Sequence, residues 1–304
     1  MKLCAVSVDL DEIPNYFRIH GLAEPGELVR HAVYDVAIDR LMAMAAAGGL
    51  PLTLFAIGAD LARAESAVKL RQAREAGHEM ANHSLDHRYD LTRLDRAEIL
   101  YQIAAGADAV ERATGERPVG FRAPGYTITD QVFSVLRELG VLYDSSVFPC
   151  PAYYAAKATA LAWIRVRGRK SHSVLDTPRV LAAPTRPYRV GTPYWKTGDG
   201  VLELPIQVTR GLRLPVIGTS LTLAGPARAR TLARMCRGAP LVNLELHGID
   251  VLDASDGLDA LLPFQPDVRV SRARKLESLH AAFDTLRHAG YAFVTLREAA
   301  AALG

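Results

Sequence analysis

His78-Glu79-Met80-Ala81-Asn82-His83-Ser84-Leu85-Asp86-His87 runs a short strand, 78–81, directly into two imidazoles four residues apart. That interval is a metal-ligand spacing: on a helical turn, residues i and i+4 lie one above the other, so both rings would converge on one cation. Taken alone, such a pair is more often two surface histidines in a loop. The reading therefore depends on what the rest of the chain brings to the same place.

Outward from this stretch, short apolar runs alternate with longer segments of helical period, the pattern of a parallel sheet wrapped by helices. Strands are read at 3–8, 52–57, 78–81, 118–121, 141–143, 202–208, 241–246 and 291–296. Helices are read at 26–47, stopped by Gly48-Gly49, then at 59–76, 94–114, 130–139 and 271–289. The helix at 94–114 is the clearest, with Leu94, Ala97, Ile99, Leu100, Ile103 and Ala104 recurring at helical intervals and Gly115 ending it. Most strand runs are continuously apolar, as when both faces are covered. The expected fold is α/β, a distorted, closed or nearly closed (β/α) barrel with seven or eight parallel strands. From 144 to 200 the alternation breaks into Pro, Tyr, Trp and basic residues, read as a lid or insertion within a single domain spanning 1–304.

Composition bounds the function. With 304 residues, 49% of them hydrophobic, the chain has ample material for a large core. A net charge of +3 leaves no basic surface large enough to make nucleic acid the main partner. Cys4, Cys150 and Cys236, an odd count with no close pair, argue against a disulfide framework and for a reducing compartment. The first residues reach Asp9 too soon for a signal peptide, and no apolar run approaches about 18 residues, so a cytoplasmic protein is expected. No G-x-G-x-x-G follows the first strand and no G-x-x-x-x-G-K occurs, which leaves dinucleotide and P-loop binding without support.

The polar residues gather at strand ends. Asp9 and Asp11 follow the first strand, His83 and His87 the third, Arg122 the fourth, and His247 the strand 241–246. In a parallel barrel these ends share one rim, where residues from several strands converge into a site. A carboxylate completing a His-His-Asp set suits catalytic zinc, which keeps three protein ligands and an open position. The other carboxylate is then a general base for a water whose pKa the metal lowers toward about 7.

Four motifs in order resemble the polysaccharide deacetylases of the NodB-homology type, carbohydrate esterase family 4, over nearly the whole chain. Asp9-Leu10-Asp11 matches the acidic pair, in the Asp-x-Asp form of the branch with peptidoglycan-deacetylase-like and formamido-arabinose-lipid deformylase-like members. His83-Ser84-Leu85-Asp86-His87 matches H-[ST]-x-x-H, Arg122-Ala123-Pro124-Gly125-Tyr126 matches R-x-P-[GY]-[YF], and Leu244-Glu245-Leu246-His247-Gly248 matches the apolar strand ending in His-Gly. The resemblance implies Asp9 as general base, oriented by Arg122, with Asp11, His83 and His87 holding one divalent metal, zinc foremost. It implies substrate contact by Pro124, Gly125 and Tyr126, a backbone N–H near Tyr126 at the oxyanion, and His247 protonating the leaving amine. The fourth motif departs from the family, since its Asp and Trp have no equivalent beyond the Glu203-Leu204-Pro205 strand. Asp250 is the candidate partner of His247, set against an ordinary turn residue.

The implied activity is metal-dependent hydrolysis of a linear amide, removing an acetyl or formyl group from an amino sugar. Tyr153-Tyr154, Trp163 with Arg165, Arg167, Arg169 and Lys170, and Arg186-Pro187-Tyr188-Arg189 suit sugar rings and phosphates. The stretch 153–170 also has the make-up of an interfacial helix, which would bring the protein to the inner face of a membrane and favour a small or lipid-linked sugar. An ordinary core helix with a solvated basic flank is the competing and preferred reading of it. Two other functions stand beside the first: hydrolysis of non-sugar C–N bonds, as in an allantoin-acting branch, and a non-catalytic carbohydrate- or lipid-binding barrel.

Overall fold

The computed structural model describes residues 2–304, so Met1 of the expected 1–304 domain lies outside the described residues. In chain order the elements are β1 (Leu3–Asp9), α1 (Ile13–His20), α2 (Glu27–Arg30), α3 (Ile38–Gly48), β2 (Leu52–Ala56), α4 (Ala64–Glu75), β3 (Glu79–Asn82) and α5 (Arg96–Thr114). They continue with β4 (Gly120–Phe121), α6 (Asp130–Glu138), β5 (Tyr143–Asp144), α7 (Pro151–Val166), β6 (Tyr188–Val190) and β7 (Thr197–Glu203). The last are α8 (Gly218–Ala224), α9 (Pro226–Met235), β8 (Leu241–His247), α10 (Arg272–His288), β9 (Ala292–Phe293) and α11 (Leu296–Leu303).

The strands form one nine-stranded sheet in the order β6-β7-β5-β4-β3-β2-β1-β8, with β9 paired to β1. Among the described residues only β6, an edge strand within the 144–200 stretch, runs antiparallel to its neighbour. The sheet curls into a half-barrel whose two flanks, β7 and β8, do not pair as strands. The seam is bridged where the Gln207 N–H donates to the Asn243 carbonyl at 3.1 Å. The Asn243 amide reaches the carbonyls of Leu204 and Pro205 at 3.0 and 3.4 Å and the Ser145 hydroxyl at 2.9 Å. The expected barrel is thus present in a distorted form.

Strand pleating sorts the side chains by face. On β1, Cys4, Val6 and Val8 join the core under the outer helices, whereas Leu3 and Ala5 pack inside the barrel. On β8, Val242, Leu244 and Leu246 go outward and Leu241 inward. The inward series then continues upward through Ser7 and Asp9 on β1 and through Asn243, Glu245 and His247 on β8. The interior is therefore apolar at its floor and polar at its C-terminal rim. Leu296, Ala299 and Ala300 of α11 close the floor. Glu79, buried in that lower region, is satisfied by the hydroxyls of Thr53 and Tyr143, each at 2.8 Å, and by the Arg297 N–H at 2.9 Å.

Helix ends follow local chemistry. Asp95 caps α5 by accepting the Glu98 N–H at 2.9 Å, and Gly115 ends it at φ 78°, as the sequence indicates. The segment 83–87 is not helical. Ser84 and His87 adopt φ of 66° and 51°, so the histidines converge through a left-handed loop and not through a helical turn. That loop is held by backbone: the N–H groups of Gly58 and Ala59 donate to the Ser84 and Leu85 carbonyls at 2.9 and 2.8 Å, and the Leu85 N–H donates to the Gln102 carbonyl at 2.9 Å. The Asn82 amide ties it to the Ile103 carbonyl at 2.9 Å.

This packing needs a bare backbone at Gly106 of α5, where a Cβ would lie 2.6 Å from both Asn82 Oδ1 and the Ser84 carbonyl carbon. Gly106→Ala should therefore lower stability by about 1–3 kcal/mol through overpacking, despite roughly 1 kcal/mol of better helix propensity. Denaturant unfolding checks this, and a variant as stable as the wild type would show that the loop does not rest on the helix backbone.

Candidate active site

Asp9, the last residue of β1, lies beside His247, the last residue of β8, in the parallel register. Arg122 follows β4 and points across the barrel. Its guanidinium is fully buried and donates four hydrogen bonds, to Asp9 Oδ1 at 2.6 Å and to Ser7 Oγ, Ser145 Oγ and the Ser145 carbonyl, each at 2.8 Å. Its flat face lies 4.1 Å from the centroid of Phe55, where cation–π attraction adds to the ion pair. The second oxygen of Asp9 is left facing His83 Nε2 at 3.7 Å.

Beyond β1, Asp11 turns back over the rim. Its Oδ1 lies 3.3 Å from His83 Nε2 and its Oδ2 lies 3.2 Å from His87 Nε2. His83 Nδ1 sits 2.7 Å from the Arg122 carbonyl, which only accepts, so the ring proton is on Nδ1 and the Nε2 lone pair faces the carboxylates. Asp11 Oδ1 and both ring nitrogens of His87 are buried without a hydrogen-bond partner. Burial opposes ionisation of Asp11, yet His87 and His83 hold its carboxyl well below the usual range. Burial lowers the His87 pKa, which leaves a neutral imidazole, the form that ligates a metal. At His83 burial also pulls downward, but Asp9 and Asp11 outweigh it and raise the pKa. Lone pairs of Asp11, His83 and His87 thus meet within 4.8 Å of one another in a field that calls for a cation. The donor set, two imidazoles and one carboxylate, fits a divalent metal of borderline softness.

Asp9, Glu245 and His247 form a second close group, also within 4.8 Å. Its charges are already balanced, because Asp9 is paired with Arg122 and the His247 Nδ1 lies 2.9 Å from Glu245 Oε1, although both Glu245 oxygens are buried without a hydrogen-bond partner. Burial works against a charged imidazole here, but Glu245 prevails and holds His247 well above its ordinary value, which favours the protonated ring. The Tyr126 hydroxyl stands 3.3 Å from the other ring nitrogen.

Residues 34–143 match the polysaccharide deacetylase family. The match covers that stretch and not the rest of the chain. A 73-residue stretch is 40% identical to the Peptidoglycan deacetylase-like protein FGM2 of Gibberella zeae, covering 24% of this chain and 21% of that protein. The match therefore spans about a fifth of the curated relative's length. A polysaccharide-deacetylase structure from Mycobacterium smegmatis superposes with a TM-score of 0.61 at 20% identity, over 99% of this chain and 90% of that one. A CE4 family pseudoenzyme from Bacillus anthracis superposes with a TM-score of 0.51 at 13% identity, over 98% of this chain and 64% of its own. At these identities the two structures share the fold, and chemistry has to be argued from residues.

Among the sequence-predicted residues, the structure brings Asp9, Asp11, His83, His87, Arg122, Tyr126 and His247 together. Two of the expected roles change. Asp250 does not touch the His247 ring; its Oδ2 accepts the His247 backbone N–H at 2.8 Å, as a turn residue does, and the ring partner is Glu245. Alternation along β8 carries the signal for Glu245, since a residue two before His247 shares its face. The Tyr126 N–H is committed to the Ala123 carbonyl at 3.1 Å, because Pro124 to Tyr126 form a 3-10 turn with Gly125 at φ 63°. Tyr126 therefore offers its phenol to the site. Glu203 is structural: buried against Asp144, it accepts the Val147 N–H at 3.0 Å.

The stretch 144–200 contributes wall as well as cover. A cavity of about 230 Å³ above Asp9, Asp11, His83 and His247 is lined on its upper side by Tyr153 and Lys157 of α7. The same helix buries only Ile164 fully and exposes Trp163 and Val166, so it is not the ordinary core helix that its apolar residues indicate.

Divalent zinc added to metal-free protein should bind at about one equivalent and raise stability. At a free concentration a thousandfold above Kd the gain is about 4 kcal/mol. Asp11→Asn and His87→Ala should each lose most of that gain in a thermal-shift titration. Full retention in both variants would place the ion elsewhere.

Proposed function

We propose that this protein is a metal-dependent hydrolase that removes an N-acyl group, acetyl or formyl, from an amino sugar. The observation that carries the reading is the pairing across the rim: Asp9 held by Arg122 on one side and His247 held by Glu245 on the other, both bordering the Asp11, His83 and His87 donors. Held by those three residues, zinc or another divalent ion would polarise the amide oxygen and acidify the attacking water.

The chain's own groups account for the proton traffic. Arg122 fixes Oδ1 of Asp9 and leaves Oδ2, 3.7 Å from His83 Nε2, to take a proton from water as it adds to the carbonyl carbon. The C–N bond then breaks as His247 gives its proton to the nitrogen, which leaves as an amine while the acyl group leaves as a carboxylate. Glu245 supports this step by fixing the ring and keeping it protonated. A carbohydrate substrate is supported by the family match and by a cavity walled with Tyr16, Tyr89, Tyr126 and Tyr153. A reducing, cytoplasmic setting is supported by three buried, unpaired cysteines. A binding barrel without catalysis has no use for two separately compensated acid–base groups on either side of a metal site.

Release of acetate or formate from a panel of N-acyl sugars is the direct test. Asp9→Asn and His247→Ala should keep about one equivalent of metal and lose about 10²–10⁴-fold in turnover. Glu245→Gln removes the charge that keeps His247 protonated, so its pKa falls and the alkaline limb of the kcat profile moves to lower pH. Loaded protein that releases neither acid from any member of the panel would favour the binding barrel.

A further inference from the structure

The cavity holds recognition groups that the proposed chemistry does not use. Lys157 projects from α7 into it, on the upper wall with Tyr153. Its Nζ donates one hydrogen bond, to the Gly125 carbonyl at 2.8 Å, and makes no ion pair among the described residues. Asp176 acts on it electrostatically without touching it, and its oxygens are engaged elsewhere, Oδ2 accepting from the Tyr194 hydroxyl at 3.1 Å and Oδ1 from the Thr177 N–H at 2.6 Å. Burial lowers the ammonium to about 8, so it remains charged at neutral pH. A partly desolvated cation with spare donors and no carboxylate in contact costs free energy unless a ligand supplies the anion.

Two phenols are in the same position. Tyr16 and Tyr89 line the cavity, are 5% and 6% exposed, and have hydroxyls buried without partners. Tyr89 packs edge-on against His87 at 4.7 Å and Tyr16 edge-on toward His247 at 6.3 Å, which places both beside the reacting groups. The cavity, at about 230 Å³, is below the roughly 300–1,000 Å³ of drug-sized pockets and suits one ring and its substituents.

We propose that Lys157 selects an N-acyl sugar unit bearing an anionic substituent, a carboxylate or a phosphate, whose ring hydroxyls are taken by Tyr16 and Tyr89. This rests on the N-deacylase reading for the identity of the sugar. A charge-assisted hydrogen bond to Lys157 is worth about 10- to 100-fold in affinity for the anionic form.

Two measurements keep the inference and that reading apart. In the first, N-acetylglucosamine, its 6-phosphate and N-acetylmuramic acid are titrated calorimetrically into metal-loaded Asp9→Asn protein, where no turnover is needed. Binding of one or both anionic sugars at least 10-fold tighter than the neutral one is expected; which one distinguishes phosphate from carboxylate. The second compares the three sugars as substrates of wild type, Lys157→Met and Lys157→Arg. The anionic-to-neutral ratio of kcat/KM should fall toward one in Lys157→Met and persist in Lys157→Arg, with the change in KM and the metal content of both variants retained. Equal binding of all three sugars, or a Lys157→Met effect equal on all three, overturns the proposal. Selective anion binding without turnover of any sugar would sustain the Lys157 assignment while the deacylase reading failed.

Discussion

The buried guanidinium of Arg122 is the constraint around which the upper barrel is arranged. Moving an ion out of water costs several kcal/mol even after relaxation, so a buried arginine persists only where charge and hydrogen bonds meet it from all sides. Here the partners come from three places in the chain: Asp9 and Ser7 on β1, Ser145 just past β5, and the Phe55 ring on β2. Satisfying one side chain therefore fixes the relative height of strands that are far apart in sequence. Ser145 in turn accepts from Asn243 of β8, so the same network reaches across the seam where the strands do not pair. The geometry of the site and the closure of the barrel are two uses of one polar layer.

That layer also explains why the site is divided into two electrically distinct halves. Asp9 faces a permanent cation and needs no other, while Asp11, His83 and His87 present lone pairs to one another and are stable together only with a proton or a metal between them. The strand register that sets Asp9 beside His247 keeps the acid–base pair within reach of the donor triad without merging with it.

Much of this is legible in the sequence because parallel barrels convert chain order into spatial convergence. Polar residues just after apolar runs pointed to Asp9, Asp11, His83, Arg122 and His247, and Gly49 and Gly115 marked real helix ends. What was not legible depends on side-chain direction and on long-range packing. Glu245 reads as an interruption in an apolar strand until pleating aligns it with His247. Asp250 has the right spacing to serve the imidazole, but the turn takes its carboxylate for the backbone. The left-handed loop at 83–87 depends on Gly106, on the following helix, and α7 looks like a core helix although most of it faces outward. Lys157, Tyr16 and Tyr89 sit on elements whose place over the rim no local pattern encodes.

The floor of the barrel carries a consequence for how the chain reaches this structure. Glu79 and Thr53, buried on β3 and β2, are completed by backbone N–H groups of Arg297 and Leu296, across sequence separations of 218 and 243 residues. Until α11 docks, the lower interior is an open apolar cup with a carboxylate in its wall, and water has to occupy it. Contacts so distant in sequence are slow to form, because the loop entropy is lost before they contribute. Expulsion of that water should thus be a late event in folding, and the rigidity that the rim chemistry requires would arrive with the helix at the opposite end.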